Sequence, residues 1–263
     1  MQAVMSSSKP AGNTETAWSE HDRRLIACTD CPRLVAWREE VSRVRRRAYR
    51  DETYWGRPVP GVGDHRARML VVGLAPGAHG SNRTGRMFTG DASGEFLFPA
   101  LFRAGFSDRS HSRSADDPLT LNDIFITAAV RCAPPQNRPL ATEVANCRRY
   151  LAAEIALLHM LQGVVALGRL AYEEIFRLLE SRARADSSDP GRDLCPPPPR
   201  FGHGTLWNPA GQSGCGQRQG LWVLASYHPS RQNTQTGRLT PSMFDEIWRT
   251  AKSLLRPIDA PPR

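Results

Sequence analysis

No apolar run in this chain approaches the ~18 residues a membrane-spanning helix needs, and its first residues carry no apolar core of signal-peptide type. Both absences leave a cytoplasmic protein as the expectation. Lysine is nearly missing: of 35 Lys and Arg residues only Lys9 and Lys252 are lysines. The net charge of +9 is therefore carried by arginine, which suits a polyanionic partner and serves a solubilising surface equally well. The glycine-rich stretch after Val72 has no lysine, so it cannot end as a P-loop does, and Gly73-Leu74-Ala75 fails the G-x-G-x-x-G dinucleotide fingerprint. A nucleoside-triphosphate enzyme is disfavoured on both counts.

What is present is the stretch MLVVGLAPGAHGSNRTGRMFTGDASG, from Met69 to Gly94. Met69 to Val72 has the continuous apolar character of a buried parallel strand, and the chain then breaks at Gly73 into a loop of Gly, Asn, Thr and Ser. Gly73, Gly77, Gly80, Gly85 and Gly90 let the backbone approach a ligand closely. Roughly seventeen residues of loop with no structure of its own are uncommon in a compact domain unless they bind something. A polar ligand is expected there.

The 263 residues suffice for one α/β domain with a full core. Residues 1–20 are polar and without periodicity and read as a mobile tail, residues 21–256 as the single domain, and residues 257–263 as a second tail. Leu34, Val35, Trp37, Val41 and Val44 mark a helix that turns basic at Arg43, Arg45, Arg46, Arg47 and Arg50. That end either meets phosphates or is a solvated face. Helices are predicted over Glu95 to Ala104, from Thr142, over Gly168 to Glu180 and from Thr240-Pro241, with further strands at Ile124 to Val130, Val164 to Leu167 and Leu221 to Ser226. Residues 181–220, with Pro196 to Pro199 in a row, read as an irregular insertion. The alternation predicts a three-layer α/β/α sandwich around a four-stranded, mainly parallel sheet. The loops after Gly73, Arg131 and Tyr227 then open on one edge, where such sheets bind ligands, so Asp91, Asn137 and His228 can converge.

Six cysteines occur: Cys28, Cys31, Cys132, Cys147, Cys195 and Cys215. The C-x-x-C pair plus Cys132 and Cys147 supplies four soft ligands, enough for a tetrahedral zinc or an iron–sulfur cluster, or else buried thiols. Cys195 and Cys215, in the insertion, read as free thiols.

Three blocks in order, Gly73-Leu74-Ala75-Pro76-Gly77 with the loop to Asp91, Ala129 to Pro135, and Tyr227-His228-Pro229-Ser230-Arg231-Gln232-Asn233-Thr234, resemble the uracil-DNA glycosylase superfamily. The cysteine layout is similar to that of families 4 and 5, where four such cysteines hold a [4Fe–4S] cluster, which makes zinc the lesser alternative here. Leu74 stands where family 4 and most others place a polar residue that positions water, and Ala128 stands where family 4 reads uracil with Asn. The resemblance is therefore to family 5 (the UDGb group), which lacks that polar residue and places an Asp at the end of the loop, here Asp91. Gly77 replaces an Ala common in that family.

The resemblance implies a monofunctional DNA repair glycosylase of base excision repair. It would be a monomer acting at the bacterial nucleoid, flipping uracil and other deaminated bases such as hypoxanthine out of DNA and hydrolysing them to an abasic site. It implies Asp91, His228 and Asn137 as catalytic groups, with Gly73, Leu74, Ala75, Pro76, Gly77 and Phe88 at the base, Ser230 and Arg231 on phosphates, and Cys28, Cys31, Cys132 and Cys147 on the cluster. The rival expectations are a non-catalytic nucleic-acid-binding protein that kept the fold and an electron-transfer iron–sulfur protein.

Overall fold

The computed structural model describes residues 12–185, 196–210 and 221–257. Four five-residue strands form the centre of one sheet: β2 (Met69–Gly73), β3 (Ile124–Ala128), β4 (Gly163–Leu167) and β6 (Trp222–Ser226), every residue of them buried. They run parallel in the order β3-β2-β4-β6, with Gly73 beside Ala128, Val72 beside Ala166 and Leu167 beside Ser226. Two short strands of two residues each, β1 (Val62–Gly63) and β5 (Leu206–Trp207), flank the sheet antiparallel to β3 and β6. The four-stranded parallel core is thus as expected, and among the described residues the sheet itself has six strands. The edge strands escape sequence reading because two residues carry no periodicity.

Alternation along the continuous apolar strands divides their side chains between two faces. Met69, Val71, Ile124, Ile126, Val165 and Leu224 join Leu97, Leu101, Phe244 and Trp248 from α4 (Ala92–Ala104) and α8 (Pro241–Leu254). Leu70, Val72, Phe125, Val164, Val223 and Ala225 meet Trp18, Leu151, Ile155, Tyr172 and Ile175 from α1 (Gly12–Ile26), α5 (Ala141–Leu157) and α6 (Arg169–Ala185). The result is three layers. Burying a side chain such as Phe244 is worth roughly 1.5–3 kcal/mol relative to exposure, and its truncation costs about 3–5 kcal/mol because a cavity remains. Thr240 starts α8 as expected, its Oγ1 accepting the Met243 N–H at 3.3 Å, with Pro241 in the first turn.

Three expectations change. The tail read over residues 1–20 is helical from Gly12, because Trp18 and Leu25, seven apart on one face, are buried at 1% and 0% exposure. The 181–220 insertion is not wholly irregular: α6 extends to Ala185 and β5 pairs with β6. Cys195 and Cys215 lie outside the described residues. The loop after Gly73 is interrupted by a single helical turn, α3 (Ser81–Thr84), closed by Gly85 at φ +75°.

From β2 the chain passes through α4 to β3 on one side, then through α5 to β4 on the other side of β2. A crevice opens where the strand order reverses, and the loop leaving β2 lies at its centre.

Candidate active site

A cavity of about 660 Å³ lies in that crevice, lined among others by Leu74, Ala75, Gly77, Phe88, Asp91, Ala128, Asn137, His228, Ser230 and Arg231. Nine of the eleven residues assigned to catalysis or substrate on sequence grounds therefore meet in one place. Gly73 and Pro76 do not line it. Gly73 serves from behind: a Cβ there would stand 2.7 Å from Phe88 Cζ, so the ring lies on bare backbone.

Asp91 is the N-cap of α4, its Oδ1 accepting the N–H groups of Ser93 at 3.0 Å and Gly94 at 3.1 Å. This fixes the carboxylate with one oxygen at the positive end of the helix. The other oxygen, Oδ2, rests against the β2 loop, where an added Cβ would come within 2.7 Å at Gly77 and 2.1 Å at Gly80. Burial raises the Asp91 pKa, and the two backbone amides oppose that rise.

Phe88 is only 7% exposed and has φ +53°, an uncommon conformation for an aromatic residue. Its ring stacks near His228, with centroids 6.1 Å apart and planes 29° from parallel. His228 lies two residues past the end of β6, and burial pulls its imidazole down to about 4, so it is neutral at physiological pH. The Asn233 side-chain amide holds the His228 carbonyl at 2.8 Å, which fixes the backbone as it turns into α7 (Arg231–Gln235).

Gln136 and Asn137 stand at the rim in a 3-10 turn with φ +55° and +57°. Two successive non-glycine residues in the left-handed region store strain of order 1–3 kcal/mol each, which the surrounding structure has to hold. Ala128, at the end of β3, presents only a methyl group to the cavity.

Arg46, Tyr49 and His79 also line the cavity; Arg46 belongs to the basic run read as meeting phosphates or forming a solvated face, and sequence reading did not single out Tyr49 or His79. The Tyr54 hydroxyl accepts the Arg46 N–H at 3.5 Å and faces His79 Nδ1 at 3.0 Å. The signal that could have marked His79 was its place between Gly77 and Gly80. Arg83 braces the same loop, donating to the carbonyls of His79 at 2.8 Å and Gly90 at 3.1 Å and pairing with Glu52.

Cys28 lies after α1, Cys31 caps α2 (Pro32–Val44), Cys132 follows β3 and Cys147 is on α5; all four are free thiols. Cys132, Cys147 and Cys31 share a small apolar cluster with Leu34, Val130 and Val144. Three of the sulfurs are approached by N–H donors: Cys132 by Arg38 at 2.9 Å, Cys31 by Asn146 at 3.5 Å and Cys28 by Arg149 at 3.7 Å. Among the described residues no three His, Cys, Asp or Glu side chains stand close enough to enclose a single metal ion.

The sequence matches the uracil DNA glycosylase superfamily over residues 60–252. A type-5 uracil-DNA glycosylase of Thermus thermophilus is 52% identical over 88% of this chain and 94% of its own length. Type-5 enzymes of Mycobacterium bovis and Pyrobaculum aerophilum are 50% and 45% identical, over 88% and 91% of this chain and 79% and 94% of theirs. A type-4 enzyme of P. aerophilum is 36% identical over 48% of this chain. With the match running from β1 to α8, and relatives near half identity along most of the length, this chain belongs to the uracil-DNA glycosylase superfamily, within its type-5 family.

Proposed function

We infer that this chain is a DNA repair glycosylase that takes uracil out of the duplex and hydrolyses its N-glycosyl bond, leaving an abasic site. The observation that carries the reading is a single cavity at the sheet edge holding a fixed carboxylate, Asp91, and a neutral imidazole beside an aromatic face, His228 and Phe88. The extruded base stacks on Phe88. As the C1′–N bond breaks, positive charge grows on the sugar and negative charge on the base. Asp91 faces the first. Its Oδ1 is engaged by two amides, so Oδ2 is the oxygen left to stabilise the cation or take the proton of the attacking water. His228, neutral, donates a hydrogen bond to the base oxygen, and the base leaves with the electron pair of the broken bond. Asn137, held in a strained turn at the rim, reads the base edge.

Substrate breadth follows from what the cavity floor lacks. Ala128 and Leu74 offer no side-chain hydrogen bond, so little discriminates the pyrimidine from a deaminated purine of similar edge chemistry. Hypoxanthine is therefore a second substrate in this reading. The exposed Arg46, Arg138 and Arg231 surround the opening and meet DNA phosphates, with Ser230 beside them. The protein works as one domain and as a monomer.

Cys28, Cys31, Cys132 and Cys147 would hold a [4Fe–4S] cluster, in the same reading. Four cysteines outside any disulfide, three of them approached by N–H donors, offer the sulfur ligands such a cluster needs. Such a group supplies rigidity and charge, and no bond-breaking step is routed through it.

The test is release of free base from oligonucleotides carrying uracil or hypoxanthine, comparing wild type with Asp91→Asn. Release by the wild type falling about 10²–10³-fold in the variant is expected, the scale of losing one preorganised electrostatic partner. Undiminished release would remove Asp91 from the mechanism. No release by wild type on any substrate would leave a DNA-binding protein without catalysis.

A further inference from the structure

We propose that Arg38 is a positioning residue that ties the four-cysteine centre to the loop presenting Asp91. This rests on the reading of those cysteines as a metal centre.

Arg38 lies on α2 and is 3% exposed, yet no carboxylate pairs with it among the described residues. A buried guanidinium without a counter-charge is costly. Its partners are the Cys132 sulfur, at 2.9 Å from Nη1, and the Cys28 carbonyl, at 3.4 Å from both Nη1 and Nη2. One ligand sulfur and the backbone of a second ligand therefore take up one side chain, so the guanidinium is committed to the four-cysteine centre.

The other end of the same residue faces the active site. The Arg38 carbonyl accepts the Asn82 side-chain amide at 3.3 Å, and Asn82 is fully buried in α3. The Asn82 N–H donates to the Gly77 carbonyl at 3.0 Å, while its own carbonyl accepts the Gly56 N–H at 3.0 Å. Gly77 and Gly80 are the two backbone positions on which Asp91 Oδ2 rests. An unbroken series of contacts runs from Cys132 through Arg38 and Asn82 to the floor under the carboxylate. Each link is a hydrogen bond, from 2.9 Å at Cys132 to 3.3 Å at Asn82, so a shift of α2 at the metal end is passed on to the Asp91 seat.

The centre would thus set catalytic geometry without touching substrate. Outer-shell partners of metal ligands commonly change metal affinity or activity by about 10–100-fold when replaced.

The experiment uses the full chain as purified, with iron and zinc content, visible absorption and bleaching rate under chelator and oxidant measured for wild type, Arg38→Met, Arg38→Lys and Asn82→Leu. Arg38→Met keeps the packed stem and loses the charge, so it should bleach about tenfold faster or more, and Arg38→Lys should recover part of that loss. Asn82→Leu, whose absorption spectrum also reports that it has folded, should bleach as wild type does while kcat drops about tenfold or more and KM for DNA stays unchanged. Wild-type bleaching in Arg38→Met with metal present would overturn the role of Arg38. Wild-type kcat in Asn82→Leu would overturn the link to Asp91. Wild-type protein with neither iron nor zinc would instead overturn the metal reading beneath it.

Discussion

Asp91 carries two duties that ask for different things. As a helix cap it needs only a short side chain with an acceptor oxygen, and Asn serves that purpose about as well as Asp. As a catalytic group in the proposed mechanism it needs the charge, and burial resists the charge. Its folded pKa lies above the ordinary carboxylate value of 3.8, so ionisation weakens the fold as pH rises from the unfolded value through the raised one. Asp91→Asn should therefore be at least as stable as wild type at pH 7 in thermal unfolding, while base release collapses. The same sign fixes the pH profile. Activity falls with acid as Asp91 protonates, at a pH above 3.8, and no limb arises near 6.5 from His228, whose imidazole stays neutral down to about 4. A kcat profile with an acid limb that disappears in His228→Gln would contradict this assignment. Gly80 completes the picture. A methyl group there meets Oδ2 at 2.1 Å and Cγ at 2.7 Å, with Oδ1 already committed to two amides. Gly80→Ala should reduce kcat on the order of a hundredfold, the effect of an ångström of misplacement, with far-ultraviolet dichroism unchanged.

At the scale of elements, one buried network fastens the β3 end to the helices behind it. Arg131, 1% exposed, pairs with Glu154 on α5, which also accepts the Thr127 hydroxyl at 2.8 Å and lies 3.6 Å from His21 on α1. Removing one member strands the other charge in the interior. Arg131→Met should cost about 3–5 kcal/mol in urea unfolding, whereas an exposed pair such as Arg43 with Glu40 contributes under about 1 kcal/mol. This network also explains what was legible beforehand. The four long strands announce themselves as apolar runs ending in turn residues, and their order in the chain already places Asp91, Asn137 and His228 on one edge. Helix α1 does not announce itself, because its buried apolar face amounts to Trp18 and Leu25, and polar contacts such as His21 with Glu154 and Glu15 with His65 add to its docking. Tyr49 was illegible for another reason. It reaches the cavity only because residues 45–58 fold back over the β2 loop, through contacts such as Trp55 N–H to the Arg83 carbonyl at 2.8 Å, and no periodicity encodes a return of that kind.

Taken whole, the molecule places a group of exposed arginines where the cavity opens. Arg46, Arg138 and Arg231 come from three separate segments and stand exposed around one opening. Each that neutralises a phosphate should contribute about 0.9 to the slope of log affinity against log salt on duplex DNA. Replacing any one by Ala should flatten the slope by about that amount and weaken binding alike for damaged and undamaged DNA. A change confined to uracil-containing DNA would instead place that arginine at the base.

The two flanking strands have a consequence beyond the fold. A parallel sheet of four apolar strands would offer long rows of unpaired amides at both borders, a template for another chain to continue. Here each border ends in two residues running the opposite way, β1 at Val62–Gly63 and β5 at Leu206–Trp207. Neither is long enough to guide a third strand into register. Among the described residues both borders of the sheet end in these short antiparallel pairings, a form that lets copies crowd along a polyanion at high local concentration without zipping together.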